Sequence, residues 1–211
     1  MVKPGNLFIV SAPSGAGKTS LVSKALELLS DKSISRAITY TTKNPRKGEM
    51  HGKDYYFISK AEFEEKIQQD YFLEYSTAYG YYYGTPRSYI YDIESGHSYI
   101  MIIDRAGAQQ ITKQFDKAIL IWICVKDLQT LKARLQKRND QNEQEIERRL
   151  QVAVTEIDSE QKNPMYMHYI VNDTFCVALE ELCAILQGRI DVESTTKVTN
   201  NIKNQTFEIR V

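Results

Sequence analysis

The chain has 211 residues, and its 27 Lys and Arg balance its 27 Asp and Glu, so the formal net charge is zero at pH 7. This length suits one domain with a sizeable core, and the even charge excludes the broad basic field of a dedicated nucleic-acid or anionic-membrane binder. The longest apolar run, residues 118–125, is far shorter than the roughly 20 residues needed to cross a bilayer. The amino terminus lacks a long apolar stretch and a small-residue cleavage site, which favours the cytoplasm.

The amino-terminal segment predicts a strand, a loop and a helix in succession. Residues 7–10 are an apolar run, residues 11–15 are turn formers, and apolar residues recur at helical spacing over residues 21–29. Strands alternating with helices predict an α/β fold with a parallel sheet covered on both faces. Further apolar runs predict strands at residues 37–40, 99–103, 118–125 and 169–171.

Helix starts can be placed from capping residues. Ser59 and Glu62 fit a capping box, and Asp127 fits the N-cap of a later helix. Leucines at helical spacing mark a last amphipathic helix, namely Leu179, Leu182 and Leu186.

Three segments depart from the strand-helix alternation. Between about residues 36 and 85, short Tyr-rich stretches punctuated by glycine predict a small, partly antiparallel insertion. Residues 137–149 are polar and carry both charge signs, which is typical of a solvated helix face. Residues 191–204 have the composition of a tail, whereas residues 206–211 alternate apolar and polar side chains. An added edge strand, a contact with a partner subunit and plain disorder all remain open for this end.

The segment that follows the first strand resembles the Walker A pattern G-x-x-x-x-G-K-[S/T] of P-loop nucleotide-binding proteins. A strand, a Gly-rich loop and a helix N-terminus bring backbone N–H groups and a favourable dipole to a phosphate. Lys18 would reach the β- and γ-phosphates of ATP, and the Thr19 hydroxyl would bind Mg²⁺. The pattern has alanine at its first glycine, which costs little if that residue has a negative φ. The predicted nucleotide-binding residues are Ala12, Pro13, Ser14, Gly15, Ala16, Gly17, Lys18, Thr19 and Ser20.

A second group of cations lies beside a turn. Lys43, Arg46 and Lys47 fall within five residues, and Lys43 and Arg46 can converge on one phosphate. Arg46 can bind it with two parallel hydrogen bonds, and Tyr55 adds a hydroxyl donor. A basic surface loop accounts for the same spacing, so the residues alone leave both interpretations open.

Five segments together resemble guanylate kinases, over about residues 4–187. The resemblance implies a P-loop NTPase-type parallel sheet flanked by helices, in a domain at residues 4–188 before a polar tail at 189–211. Within the domain it implies a core (4–35, 86–136 and 150–188), a mixed α/β GMP-binding insertion (36–85) and a helical lid (137–149). The segments are SAPSGAGKT (11–19), TTKNPRKGEMHGKDYYF (41–57), FLEY (72–75), GYYYGT (80–85) and IVND (170–173).

The same resemblance implies Mg²⁺-dependent transfer of a phosphoryl group from ATP to GMP, giving ADP and GDP. These small nucleotides are then the partners, with no nucleic acid or membrane, in a monomer or a homo-oligomer. Glu74 would face the base, since guanine presents N1–H and N2–H₂ as adjacent donors whereas adenine has an acceptor at N1. The other implied residues are Lys43, Arg46, Tyr55 and Tyr83 for the GMP phosphate, Thr39, Thr85 and Asp104 near the guanine site, Arg134, Arg138 and Arg149 over the triphosphate, and Asn172 near adenine.

Two departures from the family pattern bear on the acceptor. Lys43 stands where the family commonly has Arg, which keeps the charge but loses the planar fork. Ile102 stands at the first Asp of the family's D-x-D, and Arg105 and Ala106 follow Asp104. A kinase of this fold with another nucleoside monophosphate or a sugar phosphate as acceptor therefore remains open. A non-catalytic guanylate-kinase-like interaction domain is a third alternative, although such domains typically lack a working P-loop.

Overall fold

The structure is a computed structural model that describes residues 3–137 and 143–189. Within these residues, strands and helices alternate along much of the chain. The strands are β1 Leu7–Ser11, β2 Ile34–Arg36, β3 Tyr40–Thr41, β4 Tyr56–Phe57, β5 Phe72–Ala78, β6 Tyr81–Pro86, β7 Ser98–Ile102, β8 Ile119–Cys124 and β9 His168–Val171. The helices are α1 Lys18–Leu28, α2 Lys60–Gln68, α3 Tyr89–Glu94, α4 Arg105–Thr112, α5 Leu128–Gln136, α6 Glu143–Lys162 and α7 Phe175–Leu186.

Two sheets carry these strands. The five-stranded sheet has the order β2-β7-β1-β8-β9, and its pairs β2–β7 and β8–β9 are parallel. The four-stranded sheet has the order β4-β3-β6-β5; β6 pairs antiparallel with β3 and β5, and β4 pairs parallel with β3. The predicted α/β class, with a mainly parallel sheet flanked by helices and a smaller mixed sheet, is therefore confirmed.

The chain divides into two compact units. The first comprises Met1–Ile9 and Ser30–Ile119 and contains the whole four-stranded sheet. Its core includes a stack of rings in which Phe63 lies 4.4 Å from Phe72 and 5.0 Å from Tyr82, centroid to centroid. Offset ring stacking of this kind adds to the stabilisation from burial alone.

The second unit comprises Val10–Leu29 and Leu120–Val211. Here α1 packs against α7, and each helix has a fully buried apolar face, as Leu21, Ala25 and Leu182 illustrate. The predicted apolar pattern extends to Leu29, which is buried at the C-cap of α1, whereas Leu28 beside it is 57% exposed.

Most of the predicted element positions are confirmed, and one is wrong. The capping box of Ser59 and Glu62 is present, and the Asp127 side chain accepts a hydrogen bond from the N–H of Thr130 at 2.7 Å. The predicted strand at residues 37–40 is wrong, because the chain passes from β2 to β3 there. Ala37 and Thr39 are buried in this connecting segment, and only Tyr40 belongs to a strand.

Two predicted segments, the tail and the lid, lie wholly or partly outside the described residues. The predicted tail lies outside the described residues from residue 190 onward, and so do residues 138–142 of the predicted lid. The rest of that polar segment is not a fully solvated face, because Arg149 on α6 is 7% exposed. Among the described residues, every helix is too short or too polar to cross a lipid bilayer.

Candidate active site

The candidate phosphate-binding loop connects β1 to α1. It is closed by a hydrogen bond from the N–H of Ala16 to the carbonyl of Pro13 at 3.2 Å. Helix α1 then begins with Gly17 at its N-cap, and glycine has no side chain to cap the N–H groups of the first turn. Exposed N–H groups at the positive end of a helix dipole favour an anion. Ala12 and Pro13 are buried, Ser14 and Gly15 are half-buried, and Thr19 and Ser20 are exposed in the first turn of α1.

Gly17 and Ala12 show why this loop accepts its sequence. Gly17 has a φ of 92°, and a Cβ there would lie 2.5 Å from the Asn172 side-chain nitrogen, so both backbone conformation and space require glycine. In the described part of the chain, the non-glycine residues with positive φ are Asp70 and Tyr79. Ala12 is not among them, so the expectation that its φ is compatible with alanine is confirmed.

Residues distant in sequence hold the loop in place. The side-chain amide of Asn172 donates to the carbonyl of Ala16 at 2.7 Å. Arg134 on α5 donates to the carbonyl of Asn172 at 2.6 Å and, more weakly, to that of Ala16 at 3.5 Å. The Lys18 ammonium donates to the carbonyl of Ala12. Sequence reasoning missed this anchoring of the loop, and the roles expected for Arg134 over the triphosphate and Asn172 near adenine stay predictions.

Of the other two predicted lid arginines, Arg149 lies within the described residues and Arg138 does not. Arg149 on α6 donates through Nε to Glu145 at 2.8 Å, one helical turn away, and Glu145 also accepts from Arg148 at 3.0 Å. Arg138 lies outside the described residues.

Thr19 is the residue of this loop best suited to a metal ion. Among the described residues, no group of three or more His, Cys, Asp and Glu could hold a metal. Mg²⁺ keeps several waters and is usually held by few protein ligands together with the phosphates of its substrate. The exposed Thr19 hydroxyl at an anion-favouring helix start therefore fits a Mg²⁺ that arrives with a nucleotide.

In the first unit, Lys43 and the backbone of Arg46 both bind Glu49, a carboxylate that sequence reasoning missed. Lys43 is 8% exposed, and its ammonium lies 2.6 Å from Oε1 of Glu49 and 4.7 Å from the centre of the Tyr55 ring. The backbone N–H of Arg46 donates to Oε2 of Glu49 at 2.8 Å. Burial lowers the pKa of Lys43, and the hydrogen bond and charge of Glu49 offset part of that effect. Glu49 thus fixes the turn that presents Arg46.

Two tyrosine rings and a further cation lie near this turn. The rings of Tyr55 and Tyr83 are 6.1 Å apart, and burial raises the pKa of Tyr55, so its hydroxyl remains a hydrogen-bond donor at neutral pH. Arg36 lies 5.8 Å from the Tyr55 ring and donates to the carbonyl of Asp54 at 2.9 Å. Arg36 was not predicted, because no neighbouring cation in the sequence marks it.

The predicted base-recognition carboxylate is buried. Glu74 on β5 is 2% exposed, and its Oε1 accepts a hydrogen bond from the hydroxyl of Thr85 at 2.6 Å. A Cβ on Gly107 would lie 2.4 Å from Oε2 of Glu74, so glycine is needed for this close approach. Burial raises the pKa of Glu74 to about 7; the hydrogen bond from Thr85 offsets part of the rise, and the charge of Asp104 adds to it.

A second carboxylate lies at the start of α4. Asp104 caps this helix by accepting from the N–H of Gly107 at 2.8 Å, and it also accepts from the hydroxyl of Ser76 at 2.5 Å. The residues beside Asp104 that depart from the family pattern differ in exposure: Ile102 and Arg105 are half-buried and Ala106 is exposed.

Thr39, another predicted residue of the guanine site, is buried. Its carbonyl accepts a hydrogen bond from the N–H of Tyr56 at 2.9 Å.

A strand of a parallel sheet that leads through a glycine-rich loop into a helix, together with a buried carboxylate on a second sheet, is typical of nucleotide kinases of the P-loop class. The family model described as guanylate kinase matches residues 4–189. The chain belongs to the guanylate kinase family. It is accordingly a nucleoside monophosphate kinase, since the relatives it matches are guanylate kinases, which are ATP:GMP phosphotransferases.

Individual relatives agree with the family model. The chain is 40% identical over 186 residues to the guanylate kinase of Nitrosospira multiformis, across 88% of this chain and 86% of that protein. It is 41% identical over 186 residues to the guanylate kinase of Chromobacterium violaceum, with the same coverage of 88% and 86%. The crystal structure of guanylate kinase from Anaplasma phagocytophilum superposes with a TM-score of 0.73 at 25% identity, over 97% of this chain and 96% of that chain.

Proposed function

We propose that the chain transfers the γ-phosphoryl group of Mg·ATP reversibly to the phosphate of GMP, giving ADP and GDP. The observation that carries the guanine assignment is the buried Glu74 carboxylate, held by Thr85 and set against Gly107. Its oxygens accept hydrogen bonds, and guanine offers two adjacent donors. Adenine would leave a buried acceptor facing another acceptor, which is strongly unfavourable.

The proposed roles of the remaining residues follow from their charges and places. Arg46, Lys43, Tyr55 and Tyr83 hold the GMP phosphate, Asp104 and Thr39 line the guanine site, and the loop N–H groups with Lys18 hold the ATP phosphates. Bound Mg²⁺, with Thr19 as a protein ligand, would neutralise charge on the phosphate oxygens. The lid arginines Arg134, Arg138 and Arg149 are proposed to offset charge on the transferring group.

The transfer needs no covalent enzyme intermediate. A GMP phosphate oxygen forms a bond to the γ-phosphorus, and the bond to the bridging oxygen of ADP breaks. Fixed cations reduce the repulsion between the two anions, and holding them in line replaces a rare encounter by a bound geometry. The protein residues therefore act by binding, orientation and charge neutralisation.

The family resemblance also supports a division of the domain into three parts. We propose a core at residues 4–35, 86–136 and 150–188, with a GMP-binding insertion at 36–85 and a lid at 137–149. We also propose a cytoplasmic location and a monomer or a homo-oligomer. Small nucleotides as partners, with no nucleic acid or membrane, fit the even charge of the chain.

A coupled assay of ADP formation tests the proposed acceptor. Purified protein with Mg·ATP is given GMP, dGMP, AMP, CMP, UMP or ribose bisphosphate, each at the same concentration. We expect a guanine nucleotide to be preferred over AMP by a factor on the order of 10⁴ in kcat/KM, the range found when a buried polar site is left unpaired. Preference for any acceptor without guanine would contradict the assignment.

Activity toward GMP should depend on pH through Glu74. Because its pKa is raised to about 7, the carboxyl is increasingly protonated below that pH and loses one acceptor oxygen. We expect kcat/KM for GMP to fall toward about tenfold per pH unit below pH 7, and to level off above it. Initial rates between pH 5.5 and 8.5 measure this, with KM for ATP as the internal control. A flat GMP profile over this range would show that Glu74 stays ionised.

A further inference from the structure

Strand β5, which carries Glu74, lies at the edge of the four-stranded sheet, and glutamine side chains attach its free edge to α4. The side chain of Gln110 accepts from the N–H of Tyr75 at 3.2 Å and donates to the carbonyl of Tyr75 at 2.7 Å. Just beyond the end of α4, Gln114 donates to the carbonyl of Leu73 at 3.0 Å. Glu74 is therefore bracketed, because both of its backbone neighbours are held by side chains.

The strand needs this support because its pairing with β6 is irregular at the same place. Phe72 pairs with Pro86, but Glu74 pairs with Thr85, so Leu73 is an extra residue on β5. A β-bulge of this kind interrupts the ladder of hydrogen bonds and turns the side chains beside it in a new direction. The Leu73 carbonyl finds its partner in the Gln114 amide rather than in a neighbouring strand.

The surrounding contacts fix how each amide is turned. Arg87 donates to the side-chain oxygen of Gln114 at 3.2 Å and to the Asp70 carboxylate at 2.9 Å, so the Gln114 nitrogen must face the strand. Gln110 uses both ends of its amide on Tyr75, in the way that a residue of an adjacent strand would. A carboxylate or an apolar side chain at either position could not make these bonds.

We infer that Gln110, supported by Gln114, is a positioning residue for guanine selectivity, which holds the bulged strand so that the Glu74 carboxylate stays between Thr85 and Gly107. Gln110 acts on the base only through Glu74, and the inference rests on the proposed function. Selectivity is sensitive to such support, since displacing a catalytic or binding group by about 1 Å can lower the reaction rate by as much as about 10²-fold.

The test compares Gln110→Met with Gln109→Met. Methionine keeps the length of the side chain and removes both hydrogen bonds to Tyr75, whereas Gln109 is exposed on the same helix. The readout is the ratio of kcat/KM for GMP to that for IMP, which lacks the N2 amine. We expect Gln110→Met to lower this ratio about tenfold, because a displaced Glu74 carboxylate loses its hydrogen bond to the N2 amine of guanine. The KM for ATP should stay unchanged. Gln109→Met should match the wild type.

A general loss of structure would lower both rates together and leave the ratio unchanged. Adding Gln110→Met to a Glu74→Gln variant should produce no further drop in the ratio, since the group being positioned is already gone. If Gln110→Met is not recovered folded, Gln114→Met provides the same comparison. Wild-type protein that prefers GMP, with folded variants that keep its ratio, would overturn the inference and leave the proposed function standing. Wild-type protein inactive toward GMP would overturn the proposed function and the inference with it.

Discussion

Replacing Lys18 by alanine is expected to lower kcat by a factor on the order of 10³, because it removes a fixed cation from the charge that develops on the transferring phosphoryl group. The ammonium lies at the candidate phosphate-binding loop, where it donates to the carbonyl of Ala12. Steady-state rates at saturating GMP and Mg·ATP measure the loss, and a thermal melt checks that the variant is folded.

The matched control is Lys24→Ala in the same helix. Lys24 is on the surface of α1 and pairs with Glu27 at 2.8 Å, an exposed contact that contributes about 0.2–0.5 kcal/mol to stability. Its removal should leave kcat within about twofold of the wild type, because Lys24 has no proposed contact with a phosphate. Near-normal turnover by folded Lys18→Ala protein would contradict the proposed mechanism.

Replacing Glu74 by glutamine is expected to lower kcat/KM for GMP by a factor on the order of 10³ or more. The change keeps the shape of the side chain but puts an amide donor toward the donors of guanine. The measurement is kcat/KM for GMP at pH 8, where the wild-type carboxyl is mostly ionised. Glu65→Gln is the control, because Glu65 is exposed on α2.

Stability separates this loss from unfolding. A carboxyl whose pKa is raised on folding stabilises the protein at low pH, and that contribution is lost as the pH rises through about 7. At pH 8 the wild type bears the cost of a buried ionised Glu74 beside Asp104, whereas glutamine does not. The Glu74→Gln variant should therefore melt at the same temperature as the wild type or higher. A lower melting temperature accompanied by unchanged GMP selectivity would assign Glu74 a purely structural role.

Local sequence patterns were sufficient for most of the fold. Buried parallel strands are short apolar runs, and β7, β8 and β9 each begin and end within about one residue of those runs. The failure at residues 37–40 has a physical cause. Ala37 donates to the carbonyl of Ile100, and the N–H of Tyr56 donates to the carbonyl of Thr39, so a segment outside any strand is buried and bonded like one.

The parts of the site that sequence reasoning missed depend on partners far away in the chain. Nothing near Asn172 or Arg134 in the sequence indicates that both donate to the carbonyl of Ala16. Glu49 lies close to Lys43 and Arg46 in sequence, and an acidic residue at the end of this basic turn could have indicated that it pairs with them. Only the folded turn shows that Glu49 accepts hydrogen bonds from both residues.

The bond between Asn172 and Ala16 also sets an order of events during synthesis. It joins residues 156 positions apart, so a ribosome makes the phosphate loop early and its anchoring amide near the end of the domain. Until that residue has emerged, Ala16 lacks this donor. A nascent chain that ends before Asn172 therefore contains the loop sequence without the hydrogen bond that anchors it.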